Sequence, residues 1–192
     1  MTVAASLEGD ERLRLFLALR LPDDIVATLV AWAARELRGA AGGRLVPAQN
    51  LHVTLAFLGA RPAPELGAIV DALRRCTALA GPIELQLDRY REGRSVGMLA
   101  LRDRSGEAVR LAACVHDRLE KLGVYRREAR SWLPHVSVIR YRARPRLSPP
   151  LPDLGRVAPS EAAAYLSRLH PTGARYEVLQ SFLLCQPKPL GG

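Results

Sequence analysis

The sequence predicts an α+β fold in which one strand–helix–strand unit is used twice. Stretches with the two-residue period of a half-buried strand alternate with stretches at helical spacing. The same order of elements returns 83 residues later, and each copy reaches a similar strand start, "LHVTLAFLG" at 51–59 and "LPHVSVIRYR" at 133–142. Equivalent positions in a duplicated fold are related by an approximate two-fold axis, so the two strand starts are expected to face each other across a central cleft.

The elements run as follows. "RLRLFLALRLP" reads as a strand over 13–20. "PDDIVATLVAWAARELRG" reads as a helix, with Asp23 and Asp24 in the first turn and Gly39 at its end. The loop "AAGGRLVPAQN" leads into the strand at His52. A helix follows in "PELGAIVDALRRCTAL", then a strand in "IELQLDRYREG" at 83–93.

The second copy opens with the strand "SVGMLALRD" at 95–103 and the helix "SGEAVRLAACVHDRLEKLG". Ser105 is a cap candidate, Gly123 a stop, and Val115, Leu119 and Leu122 fall at core spacing. A strand is predicted from residue 133. "SPPLPDLGRVAPSEA" takes the place of the earlier helix but is too proline-rich to be one. "AYLSRLHPTGAR" at 164–175 matches the strand at 83–93. The duplication has diverged. One domain over 12–186 is expected, with 1–11 and 187–192 as flexible termini.

Composition narrows the partners. A chain of 192 residues that is 48% hydrophobic supports one substantial core or two small lobes. The net charge is +9 and arginine carries it, since Lys121 and Lys188 are the only lysines. That balance favours anionic partners, nucleic acid or nucleotides before membrane. Cys76, Cys114 and Cys185 are scattered and odd in number, so no disulfide framework or metal pair is expected and a reducing, cytoplasmic setting fits. The apolar run Leu15–Leu19 is too short for a signal core and follows Glu8, Asp10 and Glu11. Ile25–Ala34 is far short of a membrane span.

The chemistry lies in the two strand starts. Strict alternation puts Val53, Leu55 and Phe57 on a core face, and His52, Thr54, Ala56 and Leu58 on the other. On this parity Phe57 belongs to the core rather than to a nucleobase. A lone histidine in a strand is usually structural. Here His135-Val136-Ser137-Val138 repeats His52-Val53-Thr54-Leu55, and 135 − 52 = 83 is the offset of the whole frame.

Two facing imidazoles can act as acid and base near neutral pH. With no carboxylate cluster beside them they suit displacement at phosphorus. Thr54 and Ser137 are placed to hydrogen-bond phosphoryl oxygens, where donors stabilise growing charge. Arg126, Arg127, Arg130, Arg140, Arg142, Arg144 and Arg146 offer nearby cations.

Other chemistries lack their motifs. There is no H-E-x-x-H or H-x-H, no G-x-x-x-x-G-K-[ST] and no G-x-S-x-G. Neither lysine sits in a context for nucleotidyl transfer. Metal-free acid–base catalysis remains, with no cofactor. Strand parity sets Arg140 opposite His135 unless the strand bends. His116, on a helix, and His170, in a Pro-Thr-Gly turn, are given no role. Tyr90, Trp132, Tyr141 and Tyr176 are the candidates for base stacking.

At these residues the chain resembles the two-histidine (2H) phosphoesterases, and within them the RNA 2′,3′-cyclic phosphodiesterases, also called 2′-5′ RNA ligases. The resemblance spans about Arg12 to Leu184 and includes "LFLALRLP", "LVPAQNLHVTLAFLG" and "YLSRLHPTGARYEVLQSFLL". It implies two small antiparallel sheets flanked by helices, with the cyclic phosphate in the cleft between them. It further implies that His52 donates a proton to the leaving 3′-oxygen and that His135 accepts one from water. Thr54 and Ser137 would bind the phosphate, Ser137 replacing the commoner threonine, and Arg140 matches a frequent family arginine.

The implied partners are RNA ends or nucleoside 2′,3′-cyclic phosphates, handled by a monomer with no membrane contact. Two alternatives remain open: ATP-independent 2′-5′ ligation by the reverse reaction, and a non-catalytic RNA- or nucleotide-binding module. Both complete motifs weigh against the second.

Overall fold

A computed structural model describes residues 11–171 and 173–186. Among them are nine strands: β1 (Arg12–Arg20), β2 (Arg44–Leu45), β3 (His52–Pro62), β4 (Leu85–Glu92), β5 (Val96–Asp103), β6 (His135–Arg140), β7 (Arg156–Val157), β8 (Glu161–His170) and β9 (Gly173–Leu183). They form one sheet in the order β7-β4-β5-β6-β3-β1-β8-β9, with β2 also on β6. Every pairing is antiparallel. Three helices accompany it, α1 (Asp23–Glu36), α2 (Leu66–Thr77) and α3 (Glu107–Lys121).

The two small sheets expected from the resemblance are therefore one. They meet at a single residue pair, Val53 with Val136, in the middle of the strand order. Alternation reveals which residues share a face, but not whether two inner strands bond to each other. The predicted strand over 164–175 is also corrected: it spans parts of two paired strands, β8 and β9, whose last pair is His170 with Gly173. The 148–162 segment forms no helix, as its prolines require; it carries the two-residue β7 and the first two residues of β8. Residues 1–10 and 187–192 lie outside the described residues.

β1 shows why the sheet is buried on both sides. Leu13, Leu15, Leu17 and Leu19 enter the main core, while Phe16 and Ala18 join Ala163 and Tyr165 in a smaller cluster on the other face. Burying each such leucine is worth about 1.5–3 kcal/mol. The helices supply the rest of the main core through Ile25, Leu29 and Trp32 of α1, Ile69 and Leu73 of α2, and Leu111, Val115 and Leu119 of α3. Leu122, expected in the core, lies past the end of α3 and is 44% exposed.

The start of α3 is held by two side chains. Asp103 accepts from the backbone N–H of Gly106 and Val109, and Ser105 Oγ accepts from that of Glu107. Gly106, at φ 75°, makes the left-handed turn that this entry needs.

Cys76 of α2 and Cys114 of α3 form a disulfide, with Cα atoms 5.8 Å apart. This corrects the reading of the cysteines as unpaired, and the compartment argument drawn from it. The partners are 38 residues apart in sequence and meet only because the two helices pack together. Cys185 is free and exposed. No helix among the described residues is long and apolar enough to cross a membrane.

Candidate active site

The Val53–Val136 pair organises the site. In an antiparallel register it sets Thr54 across from His135 and His52 across from Ser137. The face bearing these four side chains lies opposite the main core, since Val53, Leu55, Val136 and Val138 are all buried on the other side.

Both imidazoles are held from behind. His135 Nδ1–H donates to the Leu133 carbonyl, 2.9 Å away, which leaves Nε2 with the lone pair. His52 makes the corresponding hydrogen bond with the Asn50 backbone, two residues upstream. Its Nε2 lies 3.0 Å from Thr54 Oγ1 and accepts from that hydroxyl when neutral. The His52 ring packs against Phe16 at 4.9 Å and Tyr176 at 5.5 Å between centroids.

Burial against these rings, joined by the charges of His135 and Arg140 and opposed by the Asn50 hydrogen bond, brings the His52 pKa down to about 4. Mutual influence of this kind requires His52, His135 and Arg140 to be near one another.

A cleft of about 790 Å³ opens on this face. His52, Thr54, Ser137 and Arg140 line it; His135, half-buried, is not part of its wall. Arg140 reaches the cleft because β6 does bend: Val138 has no partner in β5, where Gly97 pairs Ile139 and Met98 pairs Ser137. That extra residue reverses the alternation, moving Arg140 from the face opposite His135 to the same one.

The same device corrects Phe57. Leu55 has no partner in β1, where Leu17 pairs Ala56 and Ala18 pairs Thr54. Past this bulge Phe57 leaves the core face and enters the cleft, 49% exposed. A second irregularity follows at Leu58, beside Gly59 at φ 68°. Strict parity was the wrong rule beyond residue 54.

The arginines also differ from expectation. Of the arginines in the segment 126–146, Arg140 alone lines the cleft. Arg127 pairs with Asp117 and Glu120, Arg130 with Glu128, and Arg144 with Glu92. The cleft instead recruits Arg14, Arg44 and Arg175, from β1, β2 and β9. Linear clustering did not show them, because each belongs to a different strand. The one available signal was the alternation of β1, which sets Arg14 on the face of Phe16.

Among the stacking candidates, Tyr141 and Tyr176 line the cleft, whereas Trp132 donates to the Thr54 carbonyl at 3.0 Å and Tyr90 belongs to another depression. His116 is buried, His170 is exposed, and neither lines the cleft. Among the described residues no group of three or more His, Cys, Asp or Glu side chains is placed to hold a metal ion.

Comparison with known proteins bears on this arrangement. A family model described as LigT like Phosphoesterase matches residues 19–92. The chain is 33% identical over 183 residues to an RNA 2′,3′-cyclic phosphodiesterase of Thermus thermophilus, covering 90% of each protein. It is 30% identical over 181 residues to the protein of that name from Escherichia coli, covering 90% of this chain and 97% of the other. The crystal structure of E. coli LigT complexed with 3′-AMP superposes with a TM-score of 0.78 at 27% identity, over 92% of this chain and 100% of that one.

Proposed function

Since the chain belongs to the LigT-like phosphoesterase family, we propose that it hydrolyses 2′,3′-cyclic phosphate ends of RNA or nucleotides to 2′-phosphates, by metal-independent catalysis between His52 and His135. One observation carries this reading: two histidine–hydroxyl pairs face each other across the Val53–Val136 pair, with Arg140 brought to the same face.

In this mechanism His135 Nε2 takes a proton from water as its oxygen attacks phosphorus. The P–O3′ bond breaks, and His52 delivers a proton to the departing 3′-oxygen. Thr54, Ser137 and Arg140 bind the non-bridging oxygens, where donors preorganised toward growing negative charge act most strongly. Because its pKa is low, His52 gains its proton together with the substrate: a phosphate anion against the ring stabilises the imidazolium. The hydrogen bonds to the backbone of Leu133 and Asn50 keep both rings turned toward phosphorus through the proton transfers.

We also read the fold as a diverged duplication. The palindromic strand pattern β4-β5-β6 followed by β3-β1-β8, and the pairing of Val53 with Val136 at the offset of the sequence repeat, support it.

The test is to incubate chelator-treated protein with each nucleoside 2′,3′-cyclic phosphate and with RNA bearing cyclic ends, then identify the product isomer. The 2′-phosphate is expected, without metal or ATP. A 3′-phosphate product, or turnover only after a divalent ion is restored, overturns the mechanism.

A further inference from the structure

Next to Arg140 the wall of the cleft is made by Ser95 and Tyr141, joined by the Tyr141 backbone N–H donating to the Ser95 carbonyl at 3.1 Å. The Tyr141 hydroxyl reaches back to the Gly93 carbonyl at 3.2 Å. Gly93 is followed upstream by Glu92 and Arg91, which line the second depression, of about 470 Å³, together with Arg144 and Arg146. The two depressions thus adjoin, with Tyr141 spanning from one toward the other.

The segments that meet here, 91–94 and 142–146, carry five arginines, all exposed. The carboxylate among them, Glu92, is already satisfied. Its side chain is 3% exposed and accepts from Arg144 Nε and from the backbone N–H of Arg146 and Leu147. Among the described residues, Arg91, Arg94, Arg142 and Arg146 have no carboxylate within ion-pair distance of their guanidinium groups. On the helices, by contrast, Arg74 and Arg75 share Asp71, and Arg110 pairs with Glu107. Four unbalanced cations held close together repel one another and raise the energy of the folded chain. An anion bound from outside offsets that cost.

The direction of the substrate points to the same place. On the proposed roles of the two histidines, on which this step rests, the 3′-oxygen departs toward His52. The ribose that carries this oxygen, and the RNA joined to its 5′ side, therefore lie on the His52 side of phosphorus. β6 runs from His135 to Ser137, across from His52, and on to Arg140. RNA upstream of the reacting nucleotide leaves the cleft at the Arg140 end, where Ser95 and Tyr141 give way to the arginines.

We infer that Arg91, Arg94, Arg142 and Arg146 form a docking surface, outside the cleft, for the phosphodiester backbone of RNA upstream of the cyclic end. The preferred substrate is then the end of an RNA chain over a free cyclic mononucleotide. Contacts of this kind read phosphate and not base, so the surface is indifferent to sequence.

Binding calorimetry tests this with an RNA decamer ending in a 2′-phosphate, the proposed product, and with adenosine 2′-phosphate for comparison. Wild-type affinity for the decamer should fall steeply between about 50 and 200 mM salt, since each phosphate neutralised on a single strand adds about 0.7 to the slope of log affinity against log salt. Arg91→Gln/Arg94→Gln/Arg142→Gln/Arg146→Gln should flatten that slope by about 2–3. Its binding of adenosine 2′-phosphate and its turnover of a cyclic mononucleotide should stay near wild type. Arg38→Gln/Arg74→Gln/Arg75→Gln/Arg110→Gln, on the helix side, changes the net charge equally and should keep the slope. Should the first protein not fold, Arg91→Gln/Arg94→Gln and Arg142→Gln/Arg146→Gln should each remove about half of the effect. An unchanged slope, or an equal loss in the helix-side control, overturns the surface and leaves cyclic phosphate hydrolysis standing. Lost binding to vesicles of phosphatidylserine and phosphatidylcholine, with the decamer unaffected, reassigns the cluster to a membrane and likewise overturns it. A wild type that neither opens a cyclic mononucleotide nor binds adenosine 2′-phosphate removes the histidine roles first, and this inference falls with them.

Discussion

The Nε2 atom of His116 lies 2.8 Å from the carbonyl oxygen of Leu55. Leu55 is the unpaired residue of the β3 bulge, and its carbonyl is met from α3 rather than from β1. Its counterpart Val138, the unpaired residue of the β6 bulge, accepts from the Val46 backbone N–H at 2.9 Å. Each turn of a strand toward the cleft thus leaves a carbonyl that is satisfied from outside the main ladder. His116, only 5% exposed, is the buried donor for one of them.

His116→Leu should leave the Leu55 carbonyl unsatisfied and cost about 1–3 kcal/mol in chemical denaturation. His116→Gln retains an N–H donor and should recover part of that loss. Equal destabilisation by both variants would show that the ring's packing matters, and not its hydrogen bond.

Substitution of the site histidines should separate chemistry from folding. His52→Ala and His135→Ala are each expected to lower turnover of a cyclic phosphate by about 10²–10⁴-fold. Circular dichroism should still show the native fold. A folded His135→Ala protein with full activity would sink the assignment of the base.

The depressed His52 pKa has a stability consequence. The unfolded chain titrates this histidine near 6.5, the folded one at about 4. Between those values the unfolded state binds a proton that the folded state refuses, so His52 makes stability fall as pH drops from about 6.5 to 4. His52→Gln should therefore lose less Tm than the wild type between pH 7 and 4.5. Phosphate binding near neutral pH should take up a proton in the wild type, seen as a dependence of the calorimetric heat on buffer ionisation enthalpy, and not in His52→Gln.

Glu92 anchors the chain after β6. Its carboxylate accepts from the backbone N–H of Leu147 and Arg146 and from Arg144 Nε, at 2.8, 3.1 and 3.0 Å. Burial alone would raise its pKa, yet these donors hold it below the usual carboxylate value. Glu92→Gln is expected to destabilise the fold by about 1.5–3 kcal/mol, the range for hydrogen bonds to a charged group. Because Glu92 does not line the cleft, KM for a cyclic phosphate should change much less than stability does.

The Cys76–Cys114 disulfide closes a loop of 38 residues, for which chain entropy gives about 4 kcal/mol. Reductant should lower the Tm of the wild type and leave that of Cys76→Ser/Cys114→Ser unchanged. Thiol titration of the unreduced, denatured protein should count one free cysteine, Cys185.

Much of this molecule was legible in the sequence because the information is local or periodic. The α1 stripe Ile25, Leu29 and Trp32, the leucines of β1 and the cap candidate Ser105 follow from spacing along one element, whereas Asp103 emerged as its capping partner only in the folded chain. The 83-residue repeat singled out His52, Thr54, His135 and Ser137 before any contact was known. What spacing could not reveal was how the elements meet. One residue pair, Val53 with Val136, merges the two expected sheets, and one helix–helix contact joins Cys76 to Cys114. One extra residue in each site strand, Leu55 and Val138, then reverses the parity on which Phe57 was placed in the core and Arg140 away from His135. A bulge leaves no mark in the side-chain pattern. It is created by hydrogen bonds to a neighbouring strand, and for Leu55 and Val138 it is supported by His116 and Val46, which only the folded chain brings alongside.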